Sequence, residues 1–343
     1  MAEGAGDGRI DRPPQGSDQI DLPATLGRRY LVFCDTEEEF DWTQPRRRDA
    51  TATTAIAALP EVHHHLARFG VRPTYLIDYP VASDPAAVAV LRPWLEAGEC
   101  AIGTQLHPWV NPPHDEELTV ANSFVGNLPE AIEHAKLIAL TDRIEAMFGV
   151  RPTIYRAGRY GIGANSAHLL EQAGYRLDVS VRAMFDYSGE DGPDFSRHDV
   201  VPSWAGPERA LIEVPLTCVY IGAARRQGGW LYPMTGRIAR SRGLLARLGL
   251  LNRVALTPEG TPLPEARRAI RTLLDDGGRL LSISFHSPSV VPGHTPYVRD
   301  AADLRTFYAW WDGVLGMLAR EGVEPIAADD LVAAIDRARS ARR

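Results

Sequence analysis

Five carboxylates fall within seven residues: Asp35, Glu37, Glu38, Glu39 and Asp41. They follow directly on the apolar run Tyr30-Leu31-Val32-Phe33-Cys34, which reads as a buried strand. Acids at the carboxyl end of such a strand stand where α/β folds place their chemistry. Like charges that close repel, so a metal ion, an arginine or raised pKa values must offset them.

Other polar residues end other strand-like runs in the same way. Gln105, His107, Trp109, Asn111 and His114 follow one of them. Arg156, Arg159 and Tyr160 follow a second, Asp178 and Ser180 a third, and His286, Ser287 and Ser289 a fourth. Carboxylates and histidines without cysteine pairs are a donor set for a hydrolytic Zn, Mn, Co or Fe site, not for a structural zinc. Arg156 and Asp178 could form an ion pair across the strand ends. His63-His64-His65 carries no such reading, because successive helical residues point about 100° apart, and a solvated helix face is expected.

The elements that must position these residues alternate. Strand-like runs are expected over residues 30–35, 74–78, 100–107, 153–157, 177–181, 211–214, 280–286 and 324–326. Helical apolar spacing fills residues 53–69, 85–97, 129–148, 165–173, 263–274, 302–320 and 327–339. Strand and helix in alternation predict parallel strands with crossover helices. The count fits an α/β fold, a distorted (β/α) barrel of about seven strands; an open doubly wound sheet is the alternative, weakened by the lack of a Gly-x-Gly-x-x-Gly after the first strand. Residues 1–27, rich in Gly, Asp and Pro, read as a disordered tail. Residues 28–343 read as a single barrel domain with a loop-rich insertion around 185–260.

Composition narrows the function classes. The 343 residues carry 37 basic and 44 acidic side chains, a net charge of −7, which gives a nucleic-acid partner no electrostatic support. Cys34, Cys100 and Cys218 have no paired spacing and read as buried thiols of a reducing compartment. Without an apolar run near ~18 residues or an apolar N-terminal segment, no membrane span and a cytoplasmic location are expected.

The motifs together resemble those of the polysaccharide deacetylases, the NodB-homology carbohydrate esterases, over nearly all of the chain after residue 30. Phe33-Cys34-Asp35-Thr36-Glu37 is similar to the family's first motif, which implies Asp35 as general base and Glu37 as metal ligand. Ile102-Gly103-Thr104-Gln105-Leu106-His107-Pro108-Trp109 is similar to the second, with His107 as ligand and Gln105 where the family carries another histidine. The resemblance leaves Asn111 or His114 to complete the shell. Tyr155-Arg156-Ala157-Gly158-Arg159-Tyr160-Gly161 resembles the third motif and Leu177-Asp178-Val179-Ser180 the fourth. Ser284-Phe285-His286-Ser287-Pro288 resembles the fifth and implies His286 as general acid.

The resemblance implies metal-assisted hydrolysis of an N-acetyl group on a sugar or related amide, with zinc the leading ion. Arg156 paired with Asp178 would orient the base, and Trp109 and Tyr160 would offer flat faces to a sugar ring. Glu38, Glu39 and Asp41 are left to the rim or to solvent. The expected partner is a sugar-containing small molecule or glycan precursor, and a homo-oligomer stays open. Two rivals stay open as well: a metal-free carboxylate-pair glycoside hydrolase, and a carbohydrate-binding barrel in which Gln105 has removed catalysis.

Overall fold

The computed structural model describes residues 8–236 and 240–342; residues 1–7, 237–239 and 343 lie outside the described residues. Its strands are β1 (Arg28–Thr36), β2 (Thr74–Ile77), β3 (Ala101–Leu106), β4 (Ile154–Ala157), β5 (Leu177–Asp178), β6 (Ser203–Ala205), β7 (Leu211–Glu213), β8 (Cys218–Ile221), β9 (Asn252–Ala255), β10 (Leu280–His286) and β11 (Val323–Pro325). The main sheet runs β10-β1-β2-β3-β4-β5-β7-β6, with β11 beside the first half of β1. All its pairings are parallel except β6 with β7. The sheet curls into a distorted (β/α) barrel, and irregular chain bridges the gap between β7 and β10. There the Leu216 N–H donates to Val181, the Leu256 N–H to Thr217 and the Ser284 N–H to Leu256. Strands β8 and β9 form a separate antiparallel ribbon.

The helices are α1 (Leu59–Ala67), α2 (Tyr79–Ser83), α3 (Pro85–Glu96), α4 (Glu130–Phe148), α5 (Ser166–Gln172), α6 (Gly228–Thr235), α7 (Ser241–Arg247), α8 (Leu263–Asp275), α9 (Ala301–Arg320) and α10 (Ala328–Ala341). Local chemistry sets several boundaries. Asp84 accepts the Ala86 N–H ahead of Pro85 to start α3, and Asp300 accepts two amides to start α9.

Alternation along the strands builds two cores. Leu31, Phe33, Leu76, Ile154, Leu177, Val179, Ile212, Val214 and Leu280 fill the barrel interior and meet Leu331 and Ile335 of α10. Their sequence neighbours Val32, Cys34, Tyr75, Tyr155, Leu281 and Ile283 belong to the larger core that includes the flanking helices. All three cysteines are buried and unpaired. Among the described residues no helix is long and apolar enough to cross a membrane.

Three expectations need correction. Residues 8–27 are packed, not a disordered tail. Ile10, Ile20 and Leu26 are buried, the Gly206 N–H donates to Gly8, and the Ile20 N–H to Pro202. Average composition hid three apolar side chains spaced widely enough to be buried one at a time. The loop-rich region 185–260 holds more regular structure than expected: besides the expected strand β7, the strands β6, β8 and β9 and the helices α6 and α7 lie in it. His63 is buried, stacked 4.0 Å from the Trp94 ring with Nδ1 2.9 Å from the Tyr75 hydroxyl, while the solvated reading fits its neighbour His64.

Candidate active site

The same alternation that fills the barrel sets its polar top. Leu31 and Phe33 point inward, and two residues further so does Asp35, then Glu37 beyond the strand end. On β3 the inward row is Gly103, Gln105 and His107; on β4, Ile154 and Arg156; on β10, Ser282, Ser284 and His286. Parallel register brings the top residues level, pairing Asp35 with His286 and Gln105 with Arg156. Asp35, Glu37, Gln105, His107, Arg156 and His286 line one cavity of about 230 Å³.

Asp35 is 1% exposed and touches two cations. Arg156 Nη1 donates to its Oδ1, and His286 Nε2 lies 3.5 Å from its Oδ2. Arg156 is also tied back by Nε, which donates to the Val179 carbonyl at 3.1 Å. On the far side of His286, Nδ1 lies 2.7 Å from Glu259 Oε2, and the His286 amide donates to Glu259 Oε1 at 3.0 Å. Ser289 Oγ donates to the same carboxylate at 2.5 Å. Burial opposes the charge on His286, but Glu259, Glu37 and Asp35 outweigh it and raise its pKa to about 10. The imidazolium therefore persists at neutral pH.

Glu37 is fixed by its amide, which donates to Ser287 Oγ at 3.1 Å. Burial pushes its carboxyl up to about 7 against the pull of His286 and His107. Gln105 Nε2 donates to Glu37 Oε2 at 3.3 Å, and His107 Nε2 lies 3.5 Å from the same oxygen. Glu37 Oε1 and Gln105 Oε1 are buried without a hydrogen-bond partner. His107 has its other nitrogen, Nδ1, 2.7 Å from Glu38 Oε2, and burial lowers its pKa, which favours the neutral ring. Glu38 is fully buried, not a rim residue. It also accepts the Trp109 indole N–H at 2.6 Å, and its own amide donates to Asp78. Burial raises Glu38 to about 8 and Asp78 well above the usual carboxylate range, the Glu38 charge adding to the shift of Asp78.

These donors fit a divalent cation in one of two places. Glu38, Asp78 and His107 offer ligand atoms within 4.8 Å of one another, but all three are buried, and neither Glu38 nor Asp78 reaches the cavity. Glu37, Gln105 and His107 Nε2 do line the cavity and hold the two unpartnered oxygens. The cavity side is therefore the better fit for an ion that meets a substrate, with Glu38 orienting His107 from behind. Glycines make room for this arrangement. A Cβ on Gly158 would stand 2.3 Å from His107 Cδ2, and one on Gly103, below Gln105, 2.6 Å from Leu76 Cδ2.

Other expected site residues fall elsewhere. Asp178 does not pair with Arg156. It stands level with Tyr155 and so faces away from the barrel interior, where its oxygens accept from the Ser180 amide and hydroxyl at 2.9 and 2.7 Å. Arg156 faces inward and takes Asp35 directly. Asn111 turns to α4, donating to the Lys136 carbonyl at 2.9 Å, and neither it nor His114 lines the cavity. Trp109 lines the cavity but is 1% exposed and stacks against His107 at 4.3 Å, so it supports the histidine more than it offers a face. Tyr160 does line the cavity; it and Arg159 hold positive φ of 61° and 55°, a costly backbone for bulky residues that follows Gly158.

Sequence reasoning missed Glu259, which comes from the insertion and carries no motif. It also missed Phe40, Trp42 and Tyr297, whose rings line the cavity, with Trp42 4.8 Å from His286 and 5.7 Å from Tyr297.

No protein-family model and no curated protein matches the sequence. Solved structures do match its fold. A structure from Mycobacterium smegmatis described as a polysaccharide deacetylase is 18% identical, with a TM-score of 0.56 and 96% of each chain covered. One from Pseudomonas aeruginosa PAO1 with the same description is 13% identical, with a TM-score of 0.52, covering 92% of this chain and 93% of that one. The Puue allantoinase is 14% identical, with a TM-score of 0.53 and 90% of each chain covered. The likeness to polysaccharide deacetylases is thus one of fold along nearly the whole chain.

Proposed function

We propose that the protein is a metal-dependent hydrolase that removes an N-acetyl group from a sugar or related amide. The observation that carries this reading is the facing pair Asp35 and His286, 3.5 Å apart, each backed by its own partner, Arg156 and Glu259. The polysaccharide-deacetylase fold supports it.

A divalent ion held by Glu37, His107 and Gln105, zinc first among the candidates, would supply Lewis acidity at the acyl oxygen and at a water. Asp35 takes the proton of the attacking water. Arg156 keeps that carboxylate in place from the side and limits its rotation. His286 carries a proton at Nε2 toward the cavity and gives it to the departing nitrogen, which leaves as an amine. Glu259 receives the Nδ1 hydrogen bond and so aims Nε2 at the substrate. Phe40, Trp42 and Tyr297 border the cavity with apolar surface that suits a sugar ring and excludes water.

The test pairs metal removal with substitution of Asp35. Acetate release from N-acetyl sugars should vanish with chelator and return with zinc. Asp35→Asn should lower kcat by at least about a hundredfold with metal content unchanged. Activity that survives either treatment would refute the mechanism. Glycoside cleavage by metal-free protein would favour the carboxylate-pair reading, and sugar binding without turnover the binding-only one.

A further inference from the structure

The charges around the cavity do not cancel. Arg156 meets Asp35, His286 meets Glu259, and Arg159 meets Glu190. Glu37 belongs to the metal donors. Two guanidinium groups lining the cavity then remain, Arg46 and Arg182, and neither has a carboxylate within ion-pair distance among the described residues.

Both are held by aromatic rings and not by acids. Arg46 lies 5.0 Å over the Phe40 ring and 5.5 Å over Trp109; it donates to the Gln44 carbonyl at 3.3 Å, while its Nε is buried without a partner. Arg182 lies 4.0 Å over Phe185 and 5.2 Å over Tyr160, and donates to the Tyr187 hydroxyl at 3.2 Å. A guanidinium stacked on its face keeps edge N–H groups for an oxyanion. Leaving such a charge partly buried with no acid in contact is costly, and Glu37, Glu38 and Glu190, which act on Arg46 from beyond contact, do not outweigh its burial and the repulsion of Arg159. A ligand that brings an anion removes the cost, whereas a neutral sugar leaves it.

We propose that the cavity selects acyl-amino sugars bearing an anionic group, a carboxylate or a phosphate, held by Arg46 and Arg182. This rests on the hydrolase reading for the acyl group but adds the charge of the substrate. Arg46 is the sharper probe, because it sits on the half-buried part of the 40–48 segment and can be changed without opening the barrel.

The experiment titrates the full-length, zinc-loaded protein with N-acetylglucosamine, N-acetylglucosamine 6-phosphate and N-acetylmuramic acid, following the fluorescence of the cavity tryptophans. At least one anionic sugar should bind about tenfold or more tightly than the neutral one, and added salt should erode that margin. Whichever anion wins, phosphate or carboxylate, identifies the source. In Arg46→Gln the ratio of affinities should fall toward one, and Arg46→Lys should keep part of it, with melting of neither variant below that of the wild type. Equal affinities in the wild type, binding of none of the three, or a ratio untouched in Arg46→Gln would overturn the proposal. Acetate release is read separately. Arginine-dependent binding without acetate release would count against the hydrolase reading alone. Equal release from neutral and anionic sugars would count against the charge selection alone.

Discussion

In the proposed metal site, Gln105 is the residue on which affinity should turn. It stands level with Arg156, and its amide nitrogen donates to Glu37 while its oxygen has no partner. An amide oxygen is a weaker donor for zinc than an imidazole. Gln105→His should lower the zinc Kd by at least about tenfold, roughly 1.4 kcal/mol, measured by competition with a chromophoric chelator in the absence of substrate. An unchanged Kd would mean that residue 105 does not face the ion. Glu259 contributes most among the three carboxylates that hold the charge on His286. Raised to about 10, His286 stays protonated through neutral pH and loses its proton as pH rises through that value. Without the facing carboxylate the burial penalty gains weight, so in Glu259→Gln the histidine should titrate at least about one unit lower. An NMR titration of the imidazole in metal-free protein reads this directly, and a shift upward or none would contradict the pairing. These residues also mark what the sequence discloses. The meeting of Asp35, Glu37, His107, Arg156 and His286 at one cavity is legible because each stands at or just beyond the end of a strand, in phase with its inward face. Glu259 is not, because it reaches the site from an irregular segment after β9 with no periodicity to phase it.

At the scale of elements, one helix holds the loop that carries the site. Lys136 of α4 is fully buried, and its Nζ donates to the carbonyls of Pro108, Asn111 and Pro113 at 2.9, 2.6 and 2.5 Å. Glu116, also buried, lies 3.0 Å away as the counter-ion. The loop leaving His107 and Trp109 is therefore folded around one ammonium group. Lys136→Met would strand three carbonyls and a buried carboxylate, with an expected cost of about 3–5 kcal/mol. Urea unfolding should show a lower midpoint with an unchanged slope, and Lys136→Met with Glu116→Leu should recover part of the loss. A single variant as stable as the wild type would show that the lysine is not the pin. Nothing in the sequence announces this role. Lys136 lies on a helix whose apolar stripe is clear, and only the tertiary approach of the loop buries it.

For the whole molecule, the barrel was readable and its closure was not. Each of the eight expected runs overlaps a strand of the main sheet, the run 177–181 over Leu177–Asp178 alone, because parallel strands covered on both sides are largely apolar. β6, β8 and β9 are short and antiparallel, and they lie in Gly-, Pro- and Arg-rich sequence that masks their alternation. The N-terminal segment escaped for a related reason. Its composition is that of a disordered chain, yet Ile20 and Leu26 join the interior cluster with Leu31 and Ile335, and Ile10 joins the larger core. Arg279 fastens the segment further, donating to the carbonyls of Leu22 and Pro23 at 2.9 and 2.7 Å. Removing residues 1–27 exposes the surfaces that these three side chains cover. At about 2 kcal/mol for each large apolar side chain, the loss is about 6 kcal/mol, a large share of the 5–15 kcal/mol of a typical domain. The truncated protein should melt about 10 °C lower or more and bind an apolar dye that the full chain excludes. An unchanged melting temperature would mean that the segment rests on the barrel without stabilising it.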